Sequence, residues 1–150
     1  FTNIVASDIE QRFAALFSGI PSHPIDDLRL ANITLHFRGG GARQDAQRQP
    51  PENEKGYPDP VMFGVIPAYG LYFRHVRNLQ VSQVSLWFEA PDHRPPIHLH
   101  DGQHAEFSGI RAQRLPATPL IVATQVTDLS LQQVHTLADA HHAKLAAESL

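Results

Sequence analysis

Four segments of this chain align without internal gaps, and nothing else in the sequence constrains the fold as tightly. They are Ile25–Ile33, Val76–Val84, Gly102–Ile110 and Val126–Val134. The first column holds Ile25, Val76, Gly102 and Val126. The second holds Leu28, Leu79, Ala105 and Leu129, and the third Leu30, Val81, Phe107 and Leu131. The fourth holds Ile33, Val84, Ile110 and Val134, and of the sixteen positions only Gly102 is not apolar. Phe1 and Ile4 continue columns three and four upstream. The fourth-column spacings are 33−4=29, 84−33=51, 110−84=26 and 134−110=24, so three are one short repeat and the fourth is a repeat plus an insertion. Repeats of this length belong to solenoids, propellers or arrays.

The local period selects among them. Leu28 and Leu30 alternate, as do Leu79 and Val81, and a period of two is that of a strand. A propeller blade needs about 40 residues, more than these copies offer. A leucine-rich repeat would place helices between the copies, and helical stretches are missing there. Strands of an ordinary β-sandwich would have no reason to hold one pattern in register. A parallel β-helix coil fits best. Asn32, Gln83 and Gln133 sit just before the fourth column, where side-chain amides can stack from coil to coil.

Two regions break the repeat. Residues 8–20 are expected to form a turn, Asp8 to Arg12, and then a strand, Phe13 to Ile20. Residues 38–70 begin with Gly39-Gly40-Gly41 after Arg38 and contain Pro50, Pro51, Pro58, Pro60 and Pro67. That density marks a long loop, and loops above about 15 residues in compact domains are commonly functional. The Ala-rich end, residues 138–150, with Leu145 and Leu150, is expected to be a short amphipathic helix that caps the solenoid. The whole chain is read as one β-helix domain. Because it opens on the apolar pattern Phe1-Thr2-Asn3-Ile4-Val5, further coils are expected upstream.

Composition narrows the chemistry. An apolar fraction of 42% supports a core, and a net charge of −3 argues against a nucleic-acid footprint. No run of 18 apolar residues occurs, so no membrane insertion is expected. With no cysteine, thiolate metal sites and thiol nucleophiles are excluded. His93, His98, His100 and His104 cluster, and His98 and His100 share one strand face. With Glu106 they suggest the His-x-His motif of cupin-like metal enzymes, but the spacing to Glu106 is too long. Ordinary outward-facing histidines are the plainer reading, and no metal or other cofactor is expected. Glycoside hydrolysis needs two carboxylates at a fixed separation. Asp26-Asp27 and Glu52/Glu54 find no convincing mates and read as turn residues. Neither a Gly-x-Ser-x-Gly elbow nor a phosphate-binding glycine loop is present.

The loop segments resemble a known family. Ser18-Gly19-Ile20-Pro21-Ser22-His23-Pro24-Ile25-Asp26-Asp27-Leu28 is similar to the I-S-G-I-P-G-H-P-I-E-D-V stretch of bacterial polygalacturonase-like proteins of glycoside hydrolase family 28. Arg38-Gly39-Gly40-Gly41, residues 50–60, Met62-Phe63-Gly64 and residues 67–76 follow as they do there, so the likeness covers most of the chain. It implies an all-β fold, a right-handed single-stranded parallel β-helix of the pectin-lyase-like class. It further implies an inverting hydrolase of α-galacturonosidic or related pectic linkages, secreted or periplasmic and monomeric when full length, acting on pectic polysaccharide or oligogalacturonide. The family's Asn-Thr-Asp, Asp-Asp, Gly-His-Gly and Arg-Ile-Lys motifs do not stand here in their context, and Asp26-Asp27 lies in the wrong one. No catalytic residue is therefore assigned within this chain, and the catalytic carboxylates are expected upstream. Arg and Lys can meet pectic carboxylates, and aromatic rings can face sugars. On that basis Arg12, Arg38, Lys55, Tyr57 and Tyr69 are the candidate substrate contacts. A β-helix that only binds or scaffolds polysaccharide is the alternative, and a cupin-like metal enzyme using His98, His100 and His104 is a more distant one.

Overall fold

The computed structural model describes residues 1–57 and 59–150; Pro58, one of the loop prolines, lies outside them. The strands are β1 (Thr2–Ile9), β2 (Ala15–Ser18), β3 (Ile25–Asp26), β4 (Arg29–Gly39), β5 (Leu71–Ala90), β6 (Ile97–Ala112), β7 (Ile121–Gln132) and β8 (Ala140–Ser149). Their order in the sheet is β1-β4-β5-β6-β7-β8, with β2 and β3 pairing the first part of β5. Every pairing is parallel except that of β7 with β8. The fold is all-β, built on one largely parallel sheet.

The apolar columns are the pairing register. Ile25 pairs Val76, Val76 pairs Gly102, and Gly102 pairs Val126. Leu30, Val81, Phe107 and Leu131 stack in the same way, as do Ile4, Ile33, Val84 and Ile110. Because a slip by one residue would turn every side chain to the opposite face, the columns hold the stack in place. Column members from β4 to β7 join one buried cluster with Leu71, Phe73 and Leu86. The Phe73 and Phe107 rings meet edge to face with centroids 6.1 Å apart. Residues from the start of β5 and the end of β6 thus touch across the interior, so the sheet curls around a single core.

The curling is set at left-handed residues. Asp27, Asn78, His104 and Asp128 share a corner with φ from 54° to 57°. His75, Asp101 and Gln125 form a second corner, and Asn3, Asn32, Gln83, Gly109 and Gln133 a third. Asn and Asp tolerate this conformation because their short polar side chains bond locally. Here those bonds run between neighbouring segments of the sheet: Asn32 Nδ2 donates to Asn3 Oδ1 at 2.8 Å and Asn78 Nδ2 to Asp27 Oδ1 at 3.1 Å. Asn32 thus bonds upstream to Asn3, and among the described residues no side-chain amide hydrogen bond joins the expected Asn32, Gln83 and Gln133; Gly109 stands between the last two.

Residues 8–20 hold a turn and a strand as expected but with shorter bounds: Asp8 and Ile9 still belong to β1, the turn is at Gln11 and Arg12, and the strand is confined to Ala15–Ser18. The C-terminal expectation is corrected. Residues 140–149 form no helix; they are β8, antiparallel to β7 from Val122↔Ser149 to Leu131↔Ala140. The unpaired groups of β7 outweigh the helix preference of an Ala-rich segment. Leu145 is the one side chain of β8 that is buried, opposite Val126.

Candidate functional site

Residues 40–70, between β4 and β5, carry two 3-10 turns, Arg43–Gln47 and Pro60–Phe63, and are fastened to the sheet at three points. The first and last fastenings share one ion pair. Asp92 and Arg94 have fully buried side chains and join through Arg94 Nη2 to Asp92 Oδ2 at 2.7 Å and Nε to Oδ1 at 3.0 Å. Gly41 N donates to Asp92 Oδ2 at 3.0 Å, and Arg94 Nη1 donates to the Ile66 carbonyl at 3.1 Å. A Cβ on Gly41 would lie 2.3 Å from Arg94 Nε and 2.4 Å from Asp92 Oδ1. The glycine is needed there for close approach. Breaking such a pair by removing one partner costs about 3–5 kcal/mol.

The third fastening is Arg74, on β5. Its Nη1 donates to the Pro50 carbonyl at 2.6 Å, Nη2 to the Pro51 carbonyl at 3.0 Å, and Nε to Ser18 Oγ at 3.0 Å. Nη1 also lies 3.3 Å from Glu52 Oε1. The adjacent corner residue adds to it: His75 Nε2 is 3.1 Å from Glu52 Oε1, and Nδ1 is 2.6 Å from Asp101 Oδ2. Each ring nitrogen thus faces a carboxylate, one from the insertion and one from β6.

Between the insertion and the sheet runs a groove of about 500 Å³. Its floor comes from the outward positions of three successive strands, Tyr72 and Arg74 on β5, His98 and His100 on β6, and Val122 and Thr124 on β7. Gln47, Arg48 and Gln49 form part of its wall. Burial, and then the charge of His100, lowers the His98 pKa to about 4; burial and then His75 lower that of His100. His98 is therefore neutral at ordinary pH. Its Nδ1 is buried and meets no protein partner, and the same is true of Glu52 Oε2. A buried polar atom of this kind needs a partner. A second cavity of about 660 Å³ lies on the other side of Glu52 and is mostly apolar, lined by Phe13, Leu16, Met62 and Phe63 among others.

The five residues expected to touch substrate do not converge on this groove. Arg12 is exposed and paired with Glu10 at 2.8 Å, and Arg38 is paired with Asp8 at 2.6 Å. Lys55 is exposed in a turn of the insertion, and Tyr57 is 83% exposed beside it. Tyr69 must be corrected: it is fully enclosed, and its hydroxyl donates to the Gln113 carbonyl at 2.6 Å. Burial also raises its pKa. A ring so placed supports the core and cannot face a ligand. Asp26 is paired with Arg77 at 2.8 Å, and Asp27 holds a corner. Among the described residues no group of three His, Asp or Glu side chains is arranged to hold a metal ion. His93 and His104 are exposed and do not line the groove that His98 and His100 line.

Tyr72, Arg74 and His75 were missed by sequence reasoning, although a signal was present. Extending the nine-residue alignment four residues upstream places Tyr72, His98 and Val122 in one column, and Arg74, His100 and Thr124 in another. Such columns of outward, largely polar residues are what a site running across neighbouring strands requires. Among the described residues, no helix is long and apolar enough to cross a membrane. No protein-family model, curated protein or solved structure matches the chain.

Proposed function

We propose that the sheet winds as a right-handed parallel β-helix, and that the chain supplies carbohydrate-contacting coils of a pectin-type glycoside hydrolase acting outside the cell or in the periplasm. The observation that carries this reading is the groove. An insertion clamped at Gly41, Pro50–Pro51 and Ile66 covers outward side chains of three consecutive coils. A channel that crosses stacked strands suits an extended polymer, because each coil adds a further contact at the strand spacing of about 4.8 Å. The likeness of the loop segments to polygalacturonase-like proteins supports the same substrate class.

The acid and base carboxylates of such an enzyme are assigned outside this chain. Asp101 and Glu52 are the carboxylates whose charge acts on His100, and both are engaged by His75. Among the described residues Glu52 is the one carboxylate that lines the groove, and hydrolysis of a glycosidic bond needs two. The role left to this chain is to bind and orient.

Affinity electrophoresis in gels containing soluble pectin tests the proposal. The chain is expected to be retarded by pectin and not by dextran, and Arg74→Met, which releases the insertion, is expected to abolish the retardation. Unretarded migration in pectin would sink the reading. Release of reducing ends from pectin by the chain itself would instead move catalysis into these residues.

A further inference from the structure

We infer that the groove is a subsite for an uncharged, hydroxyl-rich sugar residue, whose hydroxyls donate to His98 and Glu52, rather than for a uronate. This rests on the carbohydrate reading above and sharpens it.

The first ground is that the enclosed cation of the groove is already committed. Arg74 spends donors on Ser18, Pro50 and Pro51 and lies against Glu52, while Arg48, bonded through Nε to Asp45 Oδ1 at 2.8 Å, is half exposed at the wall. A sugar carboxylate seated beside Arg74 would be desolvated with that guanidinium already bonded elsewhere, next to the carboxylate of Glu52. Burying an uncompensated charge in that way is strongly unfavourable.

The second ground is the hydrogen-bonding character of the lining. Gln47, Gln49, Gln125 and Thr124 are uncharged, and such amides and hydroxyls pair readily with sugar hydroxyls. Among the groove's described residues the buried side-chain atoms that lack protein partners are Glu52 Oε2, which can only accept, and His98 Nδ1. The neutral imidazole offers an acceptor nitrogen. Hydroxyls supply the donors both need, and a carboxylate supplies none. Because both atoms are closed to solvent, the sugar must shift these side chains slightly as it enters.

The test compares two ligands of the same ring stereochemistry that differ at C6. Galactotriose carries hydroxymethyl groups, and trigalacturonate carries carboxylates. Each is titrated calorimetrically into the full chain, with His98→Phe alongside. Galactotriose is expected to bind at least about fivefold more tightly than trigalacturonate. His98→Phe is expected to weaken galactotriose about tenfold, the loss of one good hydrogen bond to a buried acceptor. Thermal melting of the variant supplies the control: removing an unpaired buried nitrogen should leave the melting temperature unchanged or higher. Tighter binding of trigalacturonate, or an unchanged affinity in His98→Phe, overturns the inference and leaves the carbohydrate reading in place. Binding of neither ligand overturns both.

Discussion

The interior of the stack and the face beneath the insertion are buried by the same strands yet obey different rules. Inside, position alone decides identity. Leu30, Val81, Phe107 and Leu131 are each at most 2% exposed, and every neighbour in the column is apolar. Beneath the insertion, Tyr72, Arg74 and His75 are nearly as enclosed, at 3%, 3% and 6%, but they carry charge and hydrogen-bonding groups. The repeat puts these residues on an outward face, where solvent would ordinarily keep them wet. The insertion is what buries them. Register therefore accounts for stability in the first region. In the second, a loop converts a polar surface into a site, at a cost met by the Arg74 and Asp92–Arg94 fastenings.

The comparison can be broken hardest from the inside. Phe107 is fully buried and meets Phe73 across the core. Phe107→Ala is expected to lower the unfolding free energy by about 3–5 kcal/mol, read from urea denaturation. The loss should be global, with strands and insertion melting together. A loss under about 1 kcal/mol would mean that the columns do not share one cooperative core.

Acid should act on the other region. The folded-state pKa of His98 is lowered to about 4 by burial and by His100, whereas the unfolded chain titrates near the usual value of about 6.5. As pH falls below 6.5 the unfolded state takes up a proton that the folded state refuses, so stability drops until about pH 4 and then levels. The slope belongs to that window and is absent above it. For His98 it amounts to on the order of 2–3 kcal/mol, and His100 adds in the same direction. Melting curves of the parent and His98→Phe at pH 7 and pH 4.5 measure it. The variant should lose much less stability on acidification than the parent, and equal losses would place the acid sensitivity elsewhere.

The same contrast explains what the sequence could and could not disclose. The four columns were readable because a parallel register repeats one apolar pattern, and Ile25, Val76, Gly102 and Val126 pair as aligned. Gly39-Gly40-Gly41 was readable as a break, but its purpose was not, since Asp92, which receives the Gly41 N–H, lies 51 residues further along. The C-terminal strand was hidden because Ala140, Ala143, Ala146 and Ala147 favour a helix locally, while the free edge of β7 that recruits them is a tertiary feature. Tyr69 misled for a related reason. Its ring is of a kind that can face a sugar, and the Gln113 carbonyl that satisfies its hydroxyl lies just beyond β6, far along the chain. Local pattern fixes which face a residue takes; whether that face is covered depends on distant chain.

The smallest effect isolates that last point, because two residues of β5 share one backbone conformation in the two settings. Asn78 has φ 54° at an exposed corner, and His75 has φ 51° beneath the insertion. Glycine relieves left-handed strain at either place, since it lacks the Cβ that opposes this conformation. At Asn78 the relief offsets the loss of one exposed bond to Asp27, so Asn78→Gly should lie within about 0.5 kcal/mol of the parent. At His75 the same relief is outweighed, because Asp101 and Glu52 both lose the ring between them. His75→Gly should cost about 1–2 kcal/mol and make residues 43–66 more open to limited proteolysis, with the columns unaffected. Gly109 already stands at a left-handed corner in this fold, so glycine as such is tolerated there. If both variants behaved alike, the backbone would set the energetics of every corner, and the insertion would be a cover with no hold on the residues beneath it.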